Sequence, residues 1–216
     1  MSIDNLPLAP LLLSAVSVSA LVLADQVQFR PGRYLCKPLA AAAFVWLALA
    51  LGATESIFGS WLLAGLVLCM LGDLLLMPED ERCFLAGLVA FLCGHLLYAV
   101  AFVQLGASPV GLAISALPCL LLLLVTYRWM LPRVDPPMKL PVSCYMWVIT
   151  GMLLCASLTL RHPASTLIIA GAWGFALSDL AVARQQFVKA SPLNGLWGTP
   201  LYFLSQMLLA ASIALV

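Results

Sequence analysis

Long apolar runs fill most of the chain, and short clusters of proline, glycine and charged residues separate them. A helix needs about 20 residues to cross roughly 30 Å of hydrocarbon, and eight of the runs are long enough. Continuous apolar runs are typical of membrane helices, whereas a membrane barrel requires alternating positions. We therefore predict an all-α, multi-pass membrane protein, with one eight-helix domain over residues 1–216. The predicted helices lie near residues 6–24, 34–52, 57–77, 83–105, 109–130, 141–160, 164–185 and 196–216.

The composition agrees with lipid as the solvent. Hydrophobic residues make up 64% of the chain and charged residues 9%, against about 45–50% and about 25% in soluble domains. A soluble monomer is therefore excluded. The net charge of +1 provides no basic field for a polyanion, so no nucleic acid is expected as a partner. The seven cysteines are scattered through apolar runs without metal-ligand spacing, so we expect no metal site and no cofactor.

The lysines and arginines predict the orientation of the bundle. They follow the first, third, fifth and seventh predicted helices, whereas the opposite side carries Arg161 alone. The positive-inside rule then places both termini outside the cell. The segment before the first helix has no lysine or arginine, so we expect a retained helix and not a cleaved signal peptide.

Four ionisable residues lie inside predicted helices: Lys37, Asp73, His95 and Asp179. Each costs at least about 2.5 kcal/mol near the centre of a membrane helix, so such residues usually have a function. Lys37 lies about three residues into its helix, and a rise of 1.5 Å per residue puts it and both aspartates roughly 5–9 Å inside the cytoplasmic boundary. The sequence therefore predicts a polar cup that opens to the cytoplasm. Further polar residues expected in or near this cup are Tyr98, Tyr127, Tyr145, Tyr202 and Gln206.

A structural role is the alternative for each of these residues. Tyr127 and Tyr145 have the position of interfacial anchors. For His95 the alternative is a hydrogen-bonded residue in the packing of two helices. Lys37 is close enough to the interface to extend its ammonium into water. For the two aspartates the alternative is a buried ion pair with Lys37 or Arg184.

The polar positions also form a set of motifs. These are Lys37-Pro38, Gly72-Asp73, Gly87-x3-Phe91-x3-His95-x2-Tyr98, Ser178-Asp179 and Tyr202-x3-Gln206. Together they resemble the YhhN-like lysoplasmalogenase family over nearly the whole chain. The resemblance implies a membrane hydrolase that cleaves the vinyl-ether bond of lysoplasmalogens, with the family's motif aspartates at Asp73 and Asp179. It implies a lysophospholipid substrate and, as products, a fatty aldehyde and glycerophosphoethanolamine or glycerophosphocholine. The expected location is a bacterial inner membrane.

Two carboxyl groups suit the hydrolysis of a vinyl ether. One, protonated, donates to the β-carbon, and the other, ionised, stabilises the cation and activates water. The sequence does not assign these roles between Asp73 and Asp179, and we add His95 to the predicted catalytic set. Lys37 either holds one carboxylate ionised or binds the lipid phosphate. The predicted substrate-binding residues are Lys37, Tyr98, Tyr127, Tyr202 and Gln206.

Two other functions remain open from the residues alone. In a transporter, the intramembrane aspartates would be proton or substrate sites, although the chain lacks paired Gly/Pro-broken helices in two halves. A hydrolase of esters or phosphodiesters is the second alternative. The sequence has no G-x-S-x-G elbow, which counts against a serine esterase.

Overall fold

The computed structural model describes residues 7–216, and this part of the chain contains eight long α-helices and no β-strand. Each helix is long and apolar enough to cross a membrane, which confirms the all-α, multi-pass prediction. Residue 6, the predicted start of the first helix, lies outside the described residues. The helices are α1 Leu8–Gln26, α2 Arg30–Ala50, α3 Ile57–Leu75, α4 Glu81–Val103, α5 Pro109–Met130, α6 Lys139–Leu158, α7 Ser165–Ala183 and α8 Pro192–Ala211.

Two helices begin about four residues earlier than predicted. Both α2 and α8 have a proline in the first turn, Pro31 and Pro192. Proline fits there because the first N–H groups of a helix have no intrahelical partner and the ring fixes a helical φ. As a result Lys37 lies seven residues after the start of α2, two helical turns inside the bundle and deeper than its sequence position suggests.

The helices pack mainly as antiparallel neighbours, α1 on α2, α3 on α4, and α7 on α8. The α8 helix is the most buried of the eight and also contacts α1, α2 and α3, so it lies at the centre of the bundle. The α5 helix is the least buried and packs chiefly on α6. Side chains from α8 are therefore in a position to contact the polar residues of several helices.

Small residues on α3 allow α4 to approach closely. A Cβ atom at Gly65 would lie 2.5 Å from Cε1 of Tyr98, and one at Gly72 would lie 2.7 Å from Cε2 of Phe91. Neither distance is possible for a real side chain, so the two rings occupy the space that glycine leaves. This packing brings Asp73 of α3 to the same level as the polar face of α4.

The buried apolar side chains form two separate clusters. The larger one holds the bundle together around residues such as Phe44, Phe102 and Phe175. The smaller one, which we call the α5–α6 cluster, lies between α5, the connection to α6, and α6 itself. Its buried members are Leu123, Met130, Val134, Met138, Val142 and Met146.

Candidate active site

A cavity of about 1070 Å³ is open at one end of the bundle. Residues from all eight helices line it, together with Gln28, Pro78, Asp135 and Ala190 of the connections after α1, α3, α5 and α7. These connections belong to the side that the lysines and arginines predict to be cytoplasmic. Both Asp73 and Asp179 line this cavity, so the structure brings the two predicted carboxyl groups into one space.

Asp73 is held by two neighbours that also line the cavity. The Lys37 Nζ atom lies 3.3 Å from Asp73 Oδ1, and the Tyr202 hydroxyl donates a hydrogen bond to Oδ2 at 2.6 Å. The Asp73 side chain is only 3% exposed and that of Lys37 is 22% exposed. This is a largely buried ion pair with both carboxylate oxygens partnered. Of the two cations considered for pairing, Arg184 instead donates to Asn194 Oδ1 at 3.2 Å.

A hydrogen-bonded chain behind Tyr202 fixes its position. The Tyr98 hydroxyl donates to Gln206 Oε1 at 2.8 Å, and Gln206 Nε2 donates to the Tyr202 oxygen at 3.2 Å. Tyr98 and Gln206 are fully buried, and they lie behind the cavity wall and not on it. Both are predicted to bind substrate; the structure places Gln206 against Tyr202 and Tyr98 against Gln206, and neither on the cavity surface.

We expect Tyr98→Phe to lower the free energy of unfolding by about 1–3 kcal/mol, because it leaves a buried amide acceptor on Gln206 unpaired. Denaturant titration of the purified protein in detergent measures this change. The matched control is Tyr34→Phe, which removes a hydroxyl from a side chain that is 54% exposed and should change the stability by less than about 0.5 kcal/mol. Equal stabilities for the two variants would contradict this interpretation.

Asp179 has different neighbours. The Tyr145 hydroxyl donates to Asp179 Oδ2 at 2.9 Å, and His95 Nε2 lies 4.0 Å from the same oxygen, too far for a hydrogen bond. Among the described residues, no lysine or arginine nitrogen lies within 4.0 Å of this carboxyl group. Tyr145, which the sequence predicts in or near the cup with an interfacial anchor as the alternative, therefore contacts one of the two predicted carboxyl groups.

His95 is fully buried and lies behind Asp179, outside the cavity lining. Its Nδ1 atom is 2.6 Å from the carbonyl oxygen of Phe91. A carbonyl oxygen can only accept, so Nδ1 carries the proton and a neutral ring has a lone pair on Nε2. Over residues 7–216, His95 Nε2 is the one buried side-chain nitrogen or oxygen without a hydrogen-bond partner. The imidazole thus presents a free acceptor next to Asp179.

The Phe175 ring connects the two carboxyl groups. Its centroid lies 4.4 Å from that of His95 and 5.2 Å from that of Tyr202. The residue is fully buried, and it packs between the imidazole beside Asp179 and the tyrosine ring that donates to Asp73. No sequence signal distinguishes Phe175 from the other phenylalanines of the apolar runs.

Tyr127 is a predicted substrate-binding residue that the structure does not bring to the cavity. Its side chain is 38% exposed, whereas the preceding residue, Thr126, is buried and lines the cavity. Successive residues of a helix point about 100° apart, and at this position of α5 Thr126 is turned toward the cavity and Tyr127 away from it. Tyr127 therefore lies at the surface of the bundle.

Acidic residues outnumber basic residues in the lining of the cavity. Seven of the nine acidic residues of the chain line the cavity, but only two of its ten lysines and arginines, Arg33 and Lys37. Arg33 Nε donates to Asp25 Oδ1 at 2.7 Å. The acidic lining residues are Asp25, Asp73, Glu79, Asp80, Glu81, Asp135 and Asp179.

Comparison with known proteins finds relatives over most of the chain. The sequence profile of the YhhN family matches residues 32–213. The chain is 33% identical to rat lysoplasmalogenase TMEM86B over 195 residues, 87% of this chain and 75% of the rat protein. It is 30% identical to human lysoplasmalogenase TMEM86B, covering 87% of this chain and 77% of the human protein. Bovine lysoplasmalogenase TMEM86A is 31% identical over 68% of this chain and 62% of the bovine protein. No solved structure matches.

Proposed function

Because this chain belongs to the YhhN family, as its motifs predict, we propose that it is a lysoplasmalogenase. It hydrolyses the vinyl-ether bond of a 1-alkenyl lysophospholipid to a fatty aldehyde and a glycerophosphodiester. The observation that supports this most directly is the pair of buried carboxyl groups that line one cavity with different partners, a cation at Asp73 and neutral groups at Asp179.

The partners distinguish the roles of the two aspartates. An ion pair with Lys37 requires Asp73 to be a carboxylate. Asp179 has a tyrosine hydroxyl and an imidazole as neighbours, so a protonated carboxyl group leaves no charge unpaired there. A protonated Asp179 can also still accept the Tyr145 hydrogen bond through its carbonyl oxygen. Asp179 is therefore the general acid, and Asp73 is the base.

The first step transfers the proton of Asp179 to the β-carbon of the vinyl ether. The π electrons of the double bond form the new C–H bond, and the α-carbon becomes an oxocarbenium ion bound to the glycerol oxygen. The Asp73 carboxylate stabilises this cation electrostatically. A general acid contributes about 10²–10⁴-fold to such a step.

The later steps restore both carboxyl groups. Water adds to the α-carbon and gives one proton to Asp73. The product of this addition is a hemiacetal. The hemiacetal hydroxyl then returns a proton to Asp179 while Asp73 protonates the departing glycerol oxygen, and the C–O bond breaks to release the aldehyde. The cycle consumes one water and leaves both aspartates in their starting states, so the reaction needs no redox partner.

The other polar residues support these two groups. Lys37 keeps Asp73 ionised, and its remaining N–H donors are available to the lipid phosphate. Tyr202 holds the second oxygen of Asp73, with Gln206 and Tyr98 behind it. His95, predicted as catalytic, acts as a positioning residue for Asp179, because its free Nε2 acceptor faces that carboxyl group from behind the cavity wall.

The acidic residues of the cavity lining suit a zwitterionic headgroup. In glycerophosphoethanolamine and glycerophosphocholine lipids the ammonium lies beyond the phosphate, so it would reach Glu79, Asp80 and Glu81 while the phosphate lies near Lys37 and Arg33. We propose that the cavity opens to the cytoplasmic face of a bacterial inner membrane, where the headgroup of a lipid in the inner leaflet lies at this level. The headgroup preference follows from charge complementarity.

The direct test is aldehyde release from 1-alkenyl-lysophosphatidylethanolamine by the purified protein in detergent. In D₂O the aldehyde should carry one deuterium on C2, because the proton that Asp179 transfers comes from solvent. The matched control substrate is the 1-alkyl ether analogue, which lacks the double bond and should release nothing. Absence of aldehyde from folded protein, with the ethanolamine and choline headgroups and across pH, would overturn the proposal, and counterflow in sealed vesicles would then test the transporter alternative.

A further inference from the structure

Two basic residues of α2 line the cavity, and they have different partners. Lys37 is bound to Asp73, which the proposed reaction needs as a carboxylate. Arg33 is paired with Asp25 of α1, and its side chain is 37% exposed. Because residues four apart share a helix face, both cations point to the same side of α2. Arg33 is the one whose charge the reacting carboxyl groups do not use.

The guanidinium of Arg33 has unused hydrogen-bond donors. Its Nε atom lies 2.7 Å from Asp25 Oδ1. An arginine carries its N–H donors in a rigid fork, and within residues 7–216 the two terminal nitrogens of Arg33 have no hydrogen-bond partner. Asp25 thus holds the fork from one side and leaves its terminal N–H groups free. A phosphate group matches this fork, because two of its oxygens can accept parallel N–H bonds.

The facing helix leaves room for a ligand beside this pair. Gly195 of α8 lines the cavity, and a Cβ atom there would lie 3.9 Å from both Asp25 Oδ2 and Thr199 Oγ1. These are ordinary contact distances, so the glycine borders the open cavity and not a packed wall. Thr199 also lines the cavity, and its hydroxyl is a further donor on this side.

We propose that Arg33, held by Asp25, binds the phosphate of the substrate and thereby sets the position of the vinyl ether in the cavity. This inference rests on the proposed function, since it assigns one part of the same substrate. It names Arg33 as the residue that selects a phosphate-bearing lipid, while Lys37 serves the catalytic base.

The spacing along α2 agrees with the dimensions of the substrate. Arg33 precedes Lys37 by four residues and lies nearer the start of α2, which is a rise of about 6 Å toward the cavity opening. In a 1-alkenyl lysophospholipid the glycerol backbone separates the phosphorus from the ether oxygen, an extended span of about 6 Å at ordinary single-bond lengths. A phosphate bound at Arg33 therefore places the ether at the level of Lys37 and its partner Asp73.

Removal of the phosphate from the substrate measures its contribution. The substrate pair is 1-alkenyl-lysophosphatidylmethanol, whose phosphodiester carries no ammonium, and 1-alkenylglycerol, which has no phosphate. We define the phosphate ratio as kcat/KM for aldehyde release from the first divided by kcat/KM for the second. Detergent partitioning of each substrate is the same for every variant, so it cancels when the ratio of a variant is compared with that of the wild type.

We expect Arg33→Met to lower the phosphate ratio at least tenfold, because it removes the forked donor to the phosphate. Arg30→Met, at an arginine of the same helix that is not part of the cavity lining, should leave the ratio within twofold of the wild type. If Arg33→Met does not fold, Arg33→Lys replaces it and should lower the ratio at least threefold, since an ammonium lacks the planar fork. An unchanged ratio in the folded variant overturns the phosphate site while the reaction itself stands.

Asp25→Asn separates phosphate binding from a purely structural ion pair between α1 and α2. The variant removes the carboxylate but keeps the guanidinium, and asparagine can still accept the hydrogen bond of Arg33 Nε. The phosphate ratio should therefore stay at or above the wild-type value. A structural pair predicts that Asp25→Asn and Arg33→Met change the ratio alike, so equal falls in the two variants would overturn the assignment.

A binding measurement separates this proposal from the proposed function. The probes are 1-alkyl-lysophosphatidylmethanol and 1-alkylglycerol, which have no vinyl ether and are not cleaved. The wild type should bind the phosphate probe at least tenfold more tightly than Arg33→Met does, with Kd values for 1-alkylglycerol within twofold of each other. This result without aldehyde release would keep the phosphate site and overturn the reaction. Equal Kd values of the wild type and Arg33→Met for the phosphate probe would overturn the phosphate site.

Discussion

Asp179→Asn is expected to lower kcat for aldehyde release by about 10²–10⁴-fold, the usual contribution of a general acid. Asparagine has the shape of aspartate, and its amide oxygen can still accept the hydrogen bond that Tyr145 donates at 2.9 Å. The variant should therefore fold normally. An amide cannot transfer a proton to carbon, so the loss should appear in kcat, with KM changed much less.

The matched control is Glu55→Gln, an isosteric change at an exposed residue between α2 and α3 at the other end of the bundle. It should keep kcat within twofold of the wild type. Thermal unfolding in detergent checks that Asp179→Asn is folded. A kcat for Asp179→Asn within tenfold of the wild type, in folded protein, would contradict the assignment of Asp179 as the acid.

The pH profile distinguishes the two aspartates. A general acid works only while protonated, so the wild-type rate should fall as the pH rises and Asp179 loses its proton. A general base works only while ionised, so the rate should also fall at low pH as Asp73 is protonated. In Asp73→Asn the residual activity should keep the alkaline fall and lose the acidic one. The reverse pattern would exchange the two roles.

The ionisable residues inside the helices made much of this site predictable from the sequence. A buried charge in a membrane helix is expensive, so Lys37, Asp73 and Asp179 stand out in any apolar run, and all three line the cavity. The number of helices was equally predictable, because the length needed to cross the membrane is fixed.

The rotation of each helix about its axis was not predictable. The α5 helix is apolar on every side, so its sequence carries no periodic signal that says which face points inward. The sequence therefore could not show that Thr126, and not the predicted Tyr127, lines the cavity. The same uncertainty applies to Tyr145, whose contact with Asp179 depends on how α6 packs against α7.

Lys37→Met should lower the free energy of unfolding by about 3–5 kcal/mol, because it leaves the Asp73 carboxylate buried without a cation. Methionine keeps the length and the apolar stem of lysine. Asp73 is 3% exposed and its partner 22% exposed, so water compensates little for the lost ammonium. The exposed pair Arg30 and Glu79, with both side chains more than 70% exposed, supplies the control: Arg30→Met should cost less than about 1 kcal/mol.

The double variant Lys37→Met/Asp73→Asn makes this prediction specific. Removing both charges leaves no unpaired ion, so most of the stability lost in Lys37→Met should return, and the double-mutant cycle should give a coupling energy above about 2 kcal/mol. Aldehyde release should not return, because the base is gone as well. The double variant would then be stable but inactive. A purely structural ion pair predicts instead that activity returns together with stability. A double variant as unstable as Lys37→Met, or one that regains activity, would show that the Lys37–Asp73 pair does not hold the catalytic base.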